Sequence, residues 1–290
     1  MSYGGYDGLI AIHDDVVPSP TSTNAELQSR KGRYPMANLD VLTYGFSFIS
    51  PEGGFGWSSI SLLEVGGQNI VVDTGPASRR GLLWSALDSR GLTPEEIDLV
   101  ILTHMHWDHC QNTDMFTNAR ILVHPKEIDY AHNPNPADHN AAKYIAEMMD
   151  KMRVEPISDG DVVADGISII DTPGHTLGHI SVVAEVGEEN ILVAGDAMPD
   201  GGTVTRKLPY NVFWDVNDAT ESVEKILDAS DVFYPGHDRP FRLSDGKVEY
   251  LHGPTQVEIV VSNEGNTVAP SLAYTVHSVR EPNIQLVQKR

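Results

Sequence analysis

The sequence predicts a layered α/β fold, a sandwich of two β-sheets with helices outside. Three observations lead there. Strand-like apolar runs alternate with helix-like segments in two successive halves of the chain. Four turns bearing histidine or aspartate each follow directly on one of those runs. The 290 residues, 40% hydrophobic and 21% charged, suffice for one large core.

Residues 1 to about 38 are rich in Gly, Pro, Ser and Asn and read as an irregular arm. Strand-like runs follow at Val41 to Ile49, Ser59 to Val65 and Asn69 to Asp73. Gly53, Gly54 and Gly56 interleave with Phe55 and Trp57 between the first two, the composition of a hairpin loop. A helix is predicted over Arg80 to Asp88, stopped by Gly91, and Thr93-Pro94-Glu95-Glu96 reads as a helix start. Leu99 to Leu102 is a buried strand.

The second half repeats this grammar. Arg120 to Val123 reads as a strand. Ala141 to Met152 reads as a helix, with Ile145, Met148, Met149 and Met152 on one face as core. Strands are expected at Ile167 to Asp171, His179 to Val186 and Asn190 to Ala194. A helix over Asp218 to Ala229 and a strand over Asp231 to Tyr234 complete the pattern. The tail, 247–290, carries strand-like runs at Gln256 to Val261 and Ser271 to Val276, which could close a sheet edge or pair with a second subunit in a homodimer. The whole reads as a single domain, 1–290, with an N-terminal arm and a C-terminal extension.

Composition narrows the partners. Forty-one acidic against 20 basic residues give a formal charge of −21, which repels a phosphate backbone and argues against nucleic acid. No run approaches the ~20 apolar residues of a membrane span, and Met1 to Pro20 has neither the basic nor the apolar part of a secretory signal. The single cysteine, Cys110, allows no intrachain disulfide and suits a reducing compartment. A cytoplasmic protein acting on a small molecule is expected.

The chemistry concentrates in Thr103-His104-Met105-His106-Trp107-Asp108-His109, directly after a buried strand. Three imidazoles and a carboxylate this close are costly to desolvate unless something is bound between them. Imidazole and carboxylate are zinc-type donors. Further donors follow strand ends beside glycines: His175 in Pro173-Gly174-His175, Asp196 in Ala194-Gly195-Asp196, and His237 in Pro235-Gly236-His237. His179 repeats the Gly-His pattern and is assigned a supporting or core role; Cys110 is read as a small buried thiol rather than a ligand.

With Asp73-Thr74-Gly75 ahead of them, these motifs resemble those of the metallo-β-lactamase superfamily, in the same order, over roughly Asp40 to Pro240. The resemblance implies an αββα sandwich of two mixed β-sheets flanked by helices, with metals at one edge of the sheets. It implies two divalent metal ions, Zn2+ first, with Mn2+ or Fe2+ as alternatives. His104, His106 and His175 would hold one, Asp108, His109 and His237 the other, and Asp196 would bridge them. Asp108 and Asp196 are the expected catalytic carboxylates, a metal-bridging hydroxide the expected nucleophile, and Asp73 an orienting group.

Within the superfamily, the gap from His109 to His175 and the run Gly195-Asp196-Ala197-Met198 are most similar to N-acyl-homoserine-lactone lactonases. A lactone or carboxylic ester is therefore the expected substrate. Alternatives are a thioester hydrolase of the glyoxalase II type and an iron-dependent dioxygenase of the same fold. Those lactonases carry a tyrosine three residues after the bridging aspartate, where this chain has Pro199; Tyr210 is the residue expected to stand in. Phe55 and Trp57, on a loop matching the family's flap, are the other expected substrate contacts, together with Trp214.

Overall fold

The computed structural model describes residues 37–50, 53–255 and 283–284. The first half lays down β1 (Asn38–Thr43), the short arms β2 (Ile49–Ser50) and β3 (Gly53–Gly54), β4 (Ile60–Val65), β5 (Gln68–Val72) and α1 (Arg80–Asp88). Then come β6 (Leu99–Ile101), α2 (Trp107–Cys110), β7 (Arg120–Val123), α3 (Pro125–His132), α4 (Lys143–Met149) and β8 (Val154–Pro156). The second half adds β9 (Val162–Ala164), β10 (Ile167–Asp171), β11 (Ile180–Val186), β12 (Glu189–Gly195), α5 (Thr203–Arg206) and β13 (Asn211–Val212). It continues with α6 (Val216–Ala229), β14 (Val232–Pro235), β15 (Phe241–Ser244), β16 (Lys247–Tyr250) and β17 (Asn283–Ile284).

Six strands form one mixed sheet in the order β1-β4-β5-β6-β7-β8, and seven form the other, β16-β15-β14-β12-β11-β10-β9. Side-chain alternation turns these sheets into layers. Leu99, Ile101, Val72 and Leu122 face the second sheet, packing with Ile169, Ile180, Val182 and Val193. The intervening Val100, Val71 and Ile121 face outward onto Leu83 and Leu87 of α1 and Ile145 and Met149 of α4. On the far side, Leu192, Ala194 and Phe233 pack with Ile226 of α6. The result is the expected αββα sandwich, and the methionines at helical spacing belong to its core.

Several expected boundaries move. The run Val41 to Ile49 breaks after Thr43, because a Cβ at Gly45 would lie 2.3 Å from the Gly236 oxygen; the chain presses there on the turn that carries His237. Beyond the break, Phe46 and Trp57 form an isolated antiparallel bridge. Thr93-Pro94-Glu95-Glu96 makes its capping box but stays a three-residue 3-10 turn, because Ile97 returns to extended backbone at ψ 124°. The helix expected from Ala141 to Met152 shortens to α4, and the one expected from Asp218 starts at Val216. The reason for the latter is Asp215, whose carboxylate accepts from the Asn217 and Asp218 amides at 2.8 and 3.2 Å. Helix α3 was not anticipated.

Of the C-terminal extension, β16 pairs antiparallel with β15 at the edge of the second sheet, and β17 pairs parallel with β13. The runs Gln256 to Val261 and Ser271 to Val276, and the arm except for 37–38, lie outside the described residues. Among the described residues no helix is long and apolar enough to cross a membrane.

Candidate metal centre

All seven predicted donors gather at one edge of the sandwich, on the turns following β6, β10, β12 and β14. Close backbone approach makes this possible. A Cβ at Gly236 would fall 2.1 Å from Asp196 Oδ1, and Gly195, at φ +52°, leaves no room for one beside Thr103 and His179. Three overlapping sets each place their donor atoms within 4.8 Å of one another: His104, His106 and His175; His104, His109 and Asp196; Asp108, His109 and His237. The chain thus brings together two clusters with Asp196 between them.

Each well-defined imidazole is anchored by the nitrogen facing away from the centre. His106 Nε2 lies 2.8 Å from Asp138 Oδ2, and His109 Nδ1 lies 2.7 Å from Asp73 Oδ2. His175 Nδ1 donates to the Asn211 carbonyl at 2.9 Å, and His237 Nδ1 donates to the Trp57 carbonyl at 2.9 Å. An oxygen that accepts one ring proton fixes the tautomer and leaves the other nitrogen's lone pair aimed inward. The inward atoms crowd together: His175 Nε2 is 3.0 Å from His106 Nδ1, and His237 Nε2 is 3.3 Å from Asp108 Oδ2 and 3.2 Å from Asp196 Oδ1.

Whether these residues fit a cation is answered by their unmet valences. His104 Nε2, His109 Nε2 and Asp196 Oδ1 are sealed from solvent and have no hydrogen-bond partner. Buried polar atoms are ordinarily paired, and these three lie within 4.8 Å of one another. Imidazole nitrogen and carboxylate oxygen are zinc-type donors, and converging lone pairs of this kind suit a divalent cation.

Electrostatics agree. Burial, then the charges of His109, His106 and His175, holds His104 well below the usual histidine value. Burial lowers His175 to about 4. His109 is pushed well above its ordinary value: burial opposes this, but the carboxylates of Asp196, Asp73 and Asp108 prevail. Asp196 falls well below its ordinary value against burial, through His237 and His109. Three carboxylates around one imidazole call for positive charge, which a divalent cation supplies more fully than a proton.

Supporting residues the sequence did not reveal surround this core. Asp138, 4% exposed, takes His106, the Tyr130 hydroxyl at 2.8 Å and the Asn140 amide at 3.0 Å. It sits in the Asn- and Pro-rich stretch after α3, where nothing in the spacing distinguishes it. Glu127, on the buried face of α3, ties the two histidine loops together: it accepts from the Met105 and Gly178 amides at 2.9 and 3.0 Å and the Thr176 hydroxyl at 2.7 Å. Phe213 packs edge-on against His106 and His175, with ring centroids 5.5 and 5.4 Å away.

The expected supporting residues find definite work. Asp73, in the left-handed region at φ 59°, also accepts from the Thr103 amide at 2.8 Å. His179 is a positioning residue: its Nε2 accepts the Asp196 and Ala197 amides at 2.9 and 3.2 Å. Its proton must then sit on Nδ1, 2.8 Å from Thr172 Oγ1. The Cys110 thiol donates to the His106 carbonyl at 3.1 Å, and burial drives its pKa well up; it is not placed with the donors.

The four expected substrate contacts are placed unevenly. Phe55 stands out into solvent, 55% exposed, on an aromatic hairpin with Phe46, Phe48 and Trp57. Trp57 is half-buried and meets the centre through its carbonyl, which holds His237. Tyr210 is buried, with the Arg206 guanidinium 5.6 Å from its ring centroid. Trp214 packs edge-on against Tyr130 at 6.3 Å. Pro199 has a backbone role: its carbonyl accepts the His237 amide at 2.8 Å.

Comparison with known proteins agrees with this geometry. The family model described as "Metallo-beta-lactamase superfamily" matches residues 53–237. A probable metallo-hydrolase of Methanocaldococcus jannaschii is 29% identical over 191 residues, 63% of this chain and 89% of that protein. An N-acyl homoserine lactonase of a Bacillus species is 27% identical over 154 residues, 51% of this chain and 58% of that protein. Among solved structures, a Bacillus thuringiensis protein with N-decanoyl-L-homoserine bound at its active site superposes with a TM-score of 0.54. That match has 21% identity and covers 67% of this chain and 88% of the other.

Proposed function

The chain belongs to the metallo-β-lactamase superfamily, a metal-binding hydrolase family, and on that premise we propose that it holds two zinc ions and hydrolyses a lactone or carboxylic ester. The observation that carries the reading is the meeting of seven donors in three overlapping sets, with His104 Nε2, His109 Nε2 and Asp196 Oδ1 buried and without a hydrogen-bond partner. Likeness to a homoserine-lactone lactonase supports the choice of an ester-type bond. Two divalent cations there would bring the pKa of a shared water towards neutrality and polarise the acyl carbonyl.

The chain's own groups do the rest. Asp196 sets the distance between the two donor sets, touching His109 and His237 through Oδ1 (3.3 and 3.2 Å) and His175 through Oδ2 (3.4 Å). Asp108, 9% exposed, is the more open of the two central carboxylates, and its place beside His237 suits it to exchange a proton with the leaving oxygen. Phe213 covers the His106 and His175 rings from one side.

The test is a substrate panel of lactones, aryl esters, thioesters, β-lactams and phosphotriesters, assayed on zinc-loaded protein and on Asp196→Ala. Lactone or ester turnover that disappears in the variant is expected. Turnover confined to thioesters, or oxygen consumption by iron-loaded protein, would overturn the substrate assignment.

A further inference from the structure

Arg79 differs from the other described arginines. Each of the others reaches an oxygen: a carboxylate in six cases, as in Arg80 with Asp114 or Arg242 with Glu189, and the His252 carbonyl for Arg239. Among the described residues no hydrogen bond or ion pair claims the Arg79 side chain, and its Nε is sealed from solvent without an acceptor. In a chain with 41 acidic residues, an unclaimed guanidinium is conspicuous.

Its place matters. The Arg79 guanidinium sits over the Trp57 ring, its Cζ 4.2 Å from the centroid, a cation–π contact that uses none of its N–H donors on an oxygen. Trp57 passes its carbonyl to His237, so one residue separates the guanidinium from a donor of the proposed centre. The segment from Asp73, which orients His109, ends at Arg79; on the way the Thr74 and Gly75 amides bond the His109 carbonyl at 2.6 and 3.2 Å. The guanidinium is thus linked to His237 through Trp57, and its chain segment to His109 through those two amides. Burial pulls its pKa down, a sign of desolvation that no acceptor offsets. A buried donor without an acceptor is unfavourable, and an oxyanion at the guanidinium would relieve it.

We propose that Arg79 is a specificity-determining residue that binds an oxyanionic group, a carboxylate in the simplest case, on the part of the substrate remote from the bond being cleaved. The proposal rests on the hydrolase reading above and narrows its substrates to esters or lactones carrying a negative charge. The overall charge of −21 disfavours such ligands at long range, so a local cation is what makes them acceptable.

The experiment compares mono-4-nitrophenyl adipate with its neutral methyl ester on the zinc-loaded protein. Wild type is expected to prefer the free acid in kcat/KM. Arg79→Gln is expected to reduce that preference about tenfold or more, through KM, as loss of a charged hydrogen bond implies. Arg79→Lys should recover part of it, and Arg80→Gln, its ion-paired neighbour, should keep the wild-type ratio. An unchanged ratio in Arg79→Gln, or no preference in wild type, overturns the proposal. Calorimetric titration with adipate against hexanoate separates the two readings. If neither ester is hydrolysed, the hydrolase reading fails; adipate binding that weakens selectively in Arg79→Gln still upholds the arginine, and equal weakening for both acids rejects it.

Discussion

Asp138 accepts hydrogen bonds from His106 and Tyr130 at once, and so leaves the His106 ring little freedom to turn away from His175. Burial tends to raise its carboxyl, but the His106 charge and hydrogen bond hold it down at about 2. As an anion it both orients His106 and makes it a stronger donor. Asp138→Asn keeps the shape and removes the charge, and should weaken metal binding about 10–100-fold in competition with a chromogenic chelator; unaltered affinity would show that shape alone suffices. At this scale the donors were legible and their supports were not. Histidines separated by one residue, or flanked by glycine after an apolar run, stand out in a linear chain. Asp138 and Glu127 reach the centre from 32 and 22 residues away from the atoms they hold, and only the packing of α3 against the histidine loops makes those contacts. Trp57 and Asn211 act through main-chain carbonyls, which no side-chain pattern reports.

The elements show the same division. Helix α1, strand β7 and strand β10 lie where apolar runs and turn residues place them, because their buried side chains dictate each. Boundaries moved where a local competitor intervened: Asp215 drew α6 back to Val216, and the contact of Gly45 with Gly236 ended β1. The layering predicts how substitutions behave. Leu83, fully buried between α1 and the first sheet, can be replaced by Ala at a cost of about 2–5 kcal/mol, seen as a lower denaturation midpoint with metal content unchanged. Gly236→Ala should do the reverse. Its Cβ would collide with Asp196, so metal content should fall while the core, judged by its heat-capacity change, persists. Strand β14 adds a pH dependence through Tyr234, which burial raises from 10.0 to about 12. A folded-state value above the unfolded one means that its stabilising effect is complete below pH 10 and is lost as pH rises towards 12. Tyr234→Phe should therefore flatten the alkaline limb of a melting-temperature profile; an identical limb would assign that loss of stability elsewhere.

At the scale of the whole molecule, two sheets deliver four turns to one edge, and the donors gathered there are those that suit divalent cations. Ligands that bind only the folded state stabilise it by mass action, by about 4 kcal/mol at a thousandfold excess over Kd. Chelator treatment should lower the melting temperature, and returning Zn2+ should restore it. The sandwich class was readable from the order of runs, whereas the partition of strands into sheets of six and seven was not, because β8, β9 and β15 are three or four residues long and carry little pattern of their own. The most direct test of the account is the metal content of the full chain after reconstitution with excess Zn2+ and gel filtration. Seven converging donors with Asp196 between the sets predict two zinc ions per chain, with a large loss in Asp196→Ala. A single ion per chain, or two that survive that substitution, would contradict the shared centre.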